Sequence, residues 1–314
     1  MPAQTMTTPT MSSMSTPRTR SPSLTSIAAV TLAAVMTFGT IYSLVYDTAL
    51  DTSNPSSHHT IRPDGHTSYF AQKSNVFNVY FVKRAWGWTS VAFLGIFLTS
   101  PPSIQRPTRR VARWVLTTLV WAIFAAWFFG PSLFDRISSL SGAQCLVRLP
   151  DVPVDSPEAF ISVPPLYCES RTLLTPSSHP ELFAEHPGLI KAIAGAAAIA
   201  GSPVLETLKL KPKLYRGHDV SGHLFILTLS VLFLVDQLTP SLKLLYSSPS
   251  KSSPPNPIAK ERASPLHTYA VSFAAALAAL WVLMCLTTSV YFHTVGEKVT
   301  GFSKSCGSLF AYLF

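Results

Sequence analysis

The sequence predicts an all-α, polytopic membrane protein with about six transmembrane helices. Three observations carry that prediction. The 314-residue chain is 47% hydrophobic and only 12% charged, whereas an ordinary soluble domain is roughly 25% charged. Its apolar residues are gathered into separate runs near the length that crosses a bilayer, ~20 residues for ~30 Å of hydrocarbon. Its basic residues collect in alternate connections between those runs, the pattern of cytosolic loops. The net charge of +9 therefore does not point to nucleic acid, because no nucleic-acid-binding module accompanies the scattered bases.

The elements follow in order. Residues 1–25 are rich in Met, Ser, Thr and Pro, with Arg18 and Arg20. They bury too little apolar surface to order, so a disordered cytosolic tail is expected. Ser26–Tyr46 is the first span; it is too long for the apolar core of a signal peptide and reads as an anchor. Ala85–Thr99 is a short second span, flanked by Tyr80, Phe81, Trp86 and Trp88 as an interfacial belt and ended by Pro101 and Pro102. Trp114–Phe134 is the third, Gly222–Leu242 the fourth, with Asp236 and Gln237 near its far end, and His267–Tyr291 the fifth. Val299–Phe314 is apolar but short, a tilted sixth span or an interfacial tail. Leu189–Leu205 is rich in Ala and Gly and weakly hydrophobic; it reads as an amphipathic or loop helix, the alternative being a further span, which would put His223 and His293 on opposite sides of the membrane. Residues 26–314 thus form one membrane domain, with a long loop at 135–221 and a linker at 243–265 whose Ser/Pro-rich part is Ser247–Pro257.

Charge counting fixes the sides. One side receives Arg18 and Arg20, then Arg106, Arg109, Arg110 and Arg113 with no acid, then Lys243, Lys251, Lys260 and Arg262 against Glu261. The other receives Asp47–Arg84, nearly balanced, and Asp135–Asp219, with 9 acids and 8 bases. The basic side is expected to be cytosolic, with both termini on it. Lys83, His223 and His293 then all fall at the lumenal ends of their spans. Cys145 and Cys168 share the large lumenal loop, where oxidation is possible, and a disulfide between them is expected, although spacing alone fixes no pairing. Cys285 and Cys306 read as packing residues.

Ionisable groups at membrane ends are costly to bury and easy to omit, which makes these positions candidate functional sites. Ser221, Gly222 and His223 open the fourth span. A helix N-terminus offers free N–H groups and partial positive charge to a phosphate, and Gly222 allows close backbone approach. His223 can then hand a proton to a leaving oxygen, with Asp219 orienting its ring. The plainer alternative is a helix cap made by Asp219 or Ser221. His293, at the end of the fifth span, reads as a nucleophile or base with Glu297 or Lys298 nearby, or as an interfacial histidine. Lys83 reads as a phosphate partner or a snorkelling lysine, and Lys298 as a second phosphate partner. His58, His59 and His66 lie in a loop without the fixed geometry a metal needs, and His179 and His186 read as surface residues. No metal or cofactor is expected, and no P-loop, HExxH, CxxC or GxSxG pattern occurs.

At these residues the chain resembles the fat storage-inducing transmembrane family of endoplasmic reticulum proteins. The resemblance rests on FNVYFVKRAWGW at 77–88, GHDVSGHLFILTLSVLFLVDQL at 217–238 and WVLMCLTTSVYFHTVGEKVTG at 281–301. It covers roughly residues 26–314; the tail, Thr172–Lys213 and 247–264 look peculiar to this chain. It implies six spans, cytosolic termini, lumenal histidines and a distant relation to lipid phosphate phosphatases. It further implies cleavage of the diphosphate of fatty acyl-CoA to acyl 4′-phosphopantetheine and adenosine 3′,5′-bisphosphate, in support of lipid-droplet formation. The two active histidines map onto His223, as leaving-group acid, and His293, as nucleophile through a phosphohistidine. The phosphatases place a Ser-Arg pair before their second histidine. Here Val290, Tyr291 and Phe292 precede His293, so Lys83, Lys298 or backbone amides would take that role. Two other readings remain: a non-catalytic protein that partitions diacylglycerol or triacylglycerol into droplets, and a lipid phosphate phosphatase. The partners implied are fatty acyl-CoA and membrane lipids, with no nucleic acid.

Overall fold

The computed structural model describes residues 22–48, 68–72, 74–125, 133–149, 159–170, 172–185, 210–215, 220–246 and 263–313. The tail up to Ser21, His58, His59, His66, His186, Leu189–Leu205, Asp219 and Ser247–Pro257 lie outside them. The architecture is a helical membrane bundle carrying a small disulfide-linked sheet at one end.

Helix α1, Leu24–Tyr46, begins two residues before the expected start because Ser23 caps it, its Oγ accepting from Ser26 N at 3.1 Å. Only Leu32, Gly39 and Ser43 are buried, a single narrow stripe. Asn75 starts the next helical stretch by accepting from Asn78 N at 2.7 Å. One π turn (Phe77–Phe81) and one 3₁₀ turn (Val82–Arg84) then lead directly into α2, Ala85–Thr99. Lys83 and Arg84 therefore continue the helical path rather than interrupt it. After the short α3, Pro102–Gln105, α4 runs from Pro107 to Ala125. It starts seven residues ahead of Trp114. Arg110 and Arg113 are absorbed into the helix because their guanidinium groups find partners on a later helix and at the end of α2. Arg110 donates to Gln237 Oε1 (2.9 Å) and Ser100 Oγ (2.8 Å), and Arg113 forks onto both Asp236 oxygens (2.7 and 2.6 Å).

The long loop is more structured than its sequence suggested. Helix α5, Leu133–Leu140, is followed by strands β1 (Gln144–Arg148), β2 (Phe160–Ser162) and β3 (Lys213–Tyr215), antiparallel in the order β2-β1-β3. Two short helices, α6 (Pro165–Ser170) and α7 (Pro180–Glu185), lie between β2 and β3. Cys145 on β1 is joined to Cys168 on α6, with Cα atoms 5.9 Å apart. One sheet face packs on Val147, Leu149, Val163, Leu174, Leu182, Phe183 and Leu210, a core separate from that of the bundle.

Helix α8, Gly222–Tyr246, is apolar all round and buried on every side from Leu224 to Leu234, the profile of a central helix. Helix α9, Pro265–Tyr291, packs antiparallel to it; His267 near its start meets Ser241 near the end of α8 at 3.1 Å. Helix α10, Val295–Leu313, runs parallel to α8, with Gly301 against Ser221 and Ser305 Oγ donating to Phe225 O at 2.8 Å. Small residues let helix backbones approach closely in a membrane. A Cβ at Gly301 would stand 2.7 Å from Ser221 O, and one at Gly39 2.7 Å from Ser289 Cβ. By length and composition, α1, α8 and α9 are each apolar enough to cross a membrane.

Candidate active site

The contacts within the bundle bring one end of α2, α8, α9 and α10 together. Along α2, Thr99 meets His267 Nδ1 (3.0 Å) and Thr89 accepts from Trp281 Nε1 (3.2 Å), so α2 and α9 run in opposite directions. Lys83, just before α2, therefore lies towards the Tyr291 end of α9. Gly222, the first residue of α8, lies at that end too. Thr48, after α1, donates to Val290 O at 2.7 Å, which brings the end of α1 to the same place. Lys83 is exposed, and its irregular turn follows the π turn, a feature frequent at functional sites.

Ser221 is fully buried and caps α8, its Oγ accepting from Leu224 N at 3.3 Å. Its own N–H donates to Glu297 O at 3.2 Å. That bond ties the Ser221–Gly222–His223 segment directly to the turn bearing His293. The capping alternative is thus realised by Ser221, and the cap leaves His223 half-buried in the first turn of α8. Asp219 lies outside the described residues. Gly222 is not demanded by packing, since an added Cβ would meet only Phe134 Cε2, at an ordinary 3.8 Å.

His293 turns the chain from α9 into α10 in the left-handed conformation, φ 65°, which histidine tolerates better than most residues. The next four residues, Thr-Val-Gly-Glu, form a capping box. Glu297 Oε2 accepts from Thr294 N at 2.8 Å, and Thr294 Oγ1 accepts from Glu297 N at 3.5 Å. The same Oε2 stands 3.4 Å from His293 Nδ1, within ion-pair range but outside hydrogen-bond geometry. Glu297 is 3% exposed, so the box fixes a buried carboxylate beside one ring nitrogen and leaves Nε2 as the other functional edge. The Thr294-x-x-Glu297 spacing is the sequence signal for this role of Glu297. Lys298, 2% exposed, donates from Nζ to Ser289 O at 2.7 Å, which places its charge inside the wall between α9 and α10. His179 lies elsewhere, edge-on to Tyr167.

Residues 66–312 match the fat storage-inducing transmembrane protein family. The chain belongs to that family. It is 27% identical to acyl-coenzyme A diphosphatase fit1 of Schizosaccharomyces pombe, over 75% of this chain and 69% of that protein. It is 28% identical to acyl-coenzyme A diphosphatase FITM2 of Danio rerio, over 78% and 72% of the two chains. Against the Homo sapiens FITM2, identity is 27% over 74% and 67%. No solved structure matches the chain. All three blocks singled out in the sequence lie inside the matched range.

Proposed function

We propose that this protein is a fatty acyl-CoA diphosphatase of the endoplasmic reticulum membrane, with both termini cytosolic and the active site lumenal. The observation that carries the proposal is the Ser221–Glu297 hydrogen bond. It unites the two histidine-bearing segments at one end of the bundle, in a family whose relatives are named acyl-coenzyme A diphosphatases. Sidedness is supported by two features. A Cys145–Cys168 disulfide suits the oxidising lumen. Arg106 and Arg109, exposed at the opposite end, suit the cytosol.

In the proposed reaction the acyl chain stays in the bilayer and the diphosphate meets the open end of α8. The N-terminal end of α8, with Lys83 outside and Lys298 within the wall, balances phosphate charge. Glu297 holds His293 Nδ1–H, so Nε2 attacks one phosphorus of the diphosphate. The bridging P–O bond breaks, and His223 gives its proton to the departing phosphate oxygen. Water, deprotonated by His223, then cleaves the phosphohistidine. The diphosphate becomes two monophosphate products, acyl 4′-phosphopantetheine and adenosine 3′,5′-bisphosphate. The loose 3.4 Å contact between His293 and Glu297 suits a site without substrate, since catalytic hydrogen bonds tighten in the complex. Asp219 is proposed to orient His223. Purified protein incubated with oleoyl-CoA should yield those two products by mass spectrometry. Release of inorganic phosphate from phosphatidate, with acyl-CoA left intact, would replace this reading with a lipid phosphate phosphatase. No turnover of either would favour a diacylglycerol- or triacylglycerol-binding protein.

A further inference from the structure

The sheet has a second face, opposite the small core, that carries two aromatic and two basic side chains. Its inner face is accounted for by Cys145, Val147, Ile161 and Leu214 on the small core. Alternation along the strands puts Arg148, Lys213, Tyr215 and Phe160 on the other side. The register supports that placement: Arg148 pairs with Phe160, Leu146 with Lys213, and Gln144 with Tyr215. Phe160 and Tyr215 approach edge to face with centroids 5.6 Å apart, across the intervening Leu146, which is 8% exposed. Burial raises the Tyr215 phenol pKa, and the charge of nearby Arg148 pulls it back down. Arg148 is the ladder partner of Phe160, which sets it beside the aromatic pair. Arg148 and Lys213 are exposed, and neither has an acidic partner among the described residues.

We propose that this face, Phe160 and Tyr215 with Arg148 and Lys213, seats the adenosine 3′-phosphate end of coenzyme A, a subsite that rests on the acyl-CoA reading above. An aromatic surface accepts a purine whatever its hydrogen-bonding edge, and an Arg/Lys pair beside it matches the one phosphate that the diphosphate chemistry leaves untouched. The sheet is also tied to the site. Five residues lie between Tyr215 and Ser221, a tether of at most about 20 Å. Helix α5 connects the same two places, packing on β3 while its own Phe134 lies against Gly222. A ligand whose adenine and 3′-phosphate share one ribose with the diphosphate can engage both.

The test uses the full-length protein in detergent, with oleoyl-CoA and its 3′-dephospho analogue as substrates and adenosine 3′,5′-bisphosphate and 5′-AMP as binding probes. Wild type should favour the 3′-phosphorylated member of each pair by about tenfold, the size of one charge-assisted contact. Arg148→Gln with Lys213→Gln should erase that preference by raising KM for oleoyl-CoA and leave kcat and the 3′-dephospho substrate unchanged. Tyr215→Leu should weaken both nucleotides alike. Equal KM increases for the two substrates, or a wild type indifferent to the 3′-phosphate, would overturn the subsite. A wild type that binds the bisphosphate preferentially but cleaves no acyl-CoA would sink the diphosphatase reading and leave the subsite standing. Both glutamine substitutions are at exposed positions, and an unchanged melting temperature with Cys145 and Cys168 still bridged checks the fold.

Discussion

Three glycines separate packing from catalysis at the site. Gly301→Ala would bring a Cβ to 2.7 Å from Ser221 O, about 0.7 Å inside ordinary contact, and the obstacle is backbone with no rotamer to escape into. Helix α10 must therefore slide away from the start of α8, against the Ser305–Phe225 and Ser221–Glu297 bonds that fix the pair. Overpacking of this kind costs about 1–3 kcal/mol of stability. The same slide separates His293 from His223, and a displacement near 1 Å can cost on the order of 10²-fold in rate. We expect Gly301→Ala to lose between about ten- and a hundredfold in kcat/KM for oleoyl-CoA and to melt earlier in detergent. Gly307→Ala meets nothing within 4 Å and should be neutral to stabilising by up to about 1 kcal/mol. Gly222→Ala has only ordinary contact with Phe134 and should keep its stability while losing activity, because its methyl group crowds the proposed phosphate seat. Wild-type turnover by a folded Gly301→Ala protein would show that the α8–α10 contact does not set the reacting geometry.

Other outcomes follow from the same structure. His223→Ala and His293→Ala should each lower acyl-CoA cleavage by roughly 10²–10⁴-fold. The double variant should be little worse than the poorer single, because acid and nucleophile act as one unit; additive losses measured by product mass would argue for separate roles. Glu297→Gln keeps a capping-box side chain and should lose turnover without melting early, whereas Glu297→Ala should also lose about 1 kcal/mol from the cap; equal activity in wild type and both variants would remove Glu297 from the mechanism. Cys145 and Cys168 should resist alkylation until reduced, and opening a loop of that size should cost roughly 3 kcal/mol. In sealed microsomes a tag in Ser247–Pro257 should be open to protease and one near Asp155 protected; the reverse would overturn the proposed sidedness.

What the sequence made legible were features written in composition along the chain. Long apolar runs with ionisable residues at their ends gave the spans and singled out His223 and His293, because a bilayer punishes any charge placed there without reason. What it hid were features that exist only between segments. Arg110 and Arg113 look like residues excluded from a helix, and it is Gln237 and Asp236, far away in the chain, with Ser100 nearby, that offset the cost of their burial. The strands are three to five residues long, too short for alternation to stand out in a charge-balanced loop rich in proline. The sheet becomes reasonable once Cys145 and Cys168 pin it.

The site itself shows where local and long-range information meet. The capping box at Thr294–Glu297 is a four-residue pattern that fixes the start of α10 and sets a carboxylate beside His293 without any distant contact. The cap at Ser221 is equally local. The proposed chemistry requires the two caps to touch, and that depends on Gly301, whose missing side chain lets Ser221 N reach Glu297 O. A glycine in an apolar helix carries no signal of this kind when read alone, since it is equally at home facing lipid, as the open surroundings of Gly307 illustrate. The residue that brings the histidine segments together was therefore the least visible one, and its substitution is the most direct test of whether their proximity matters.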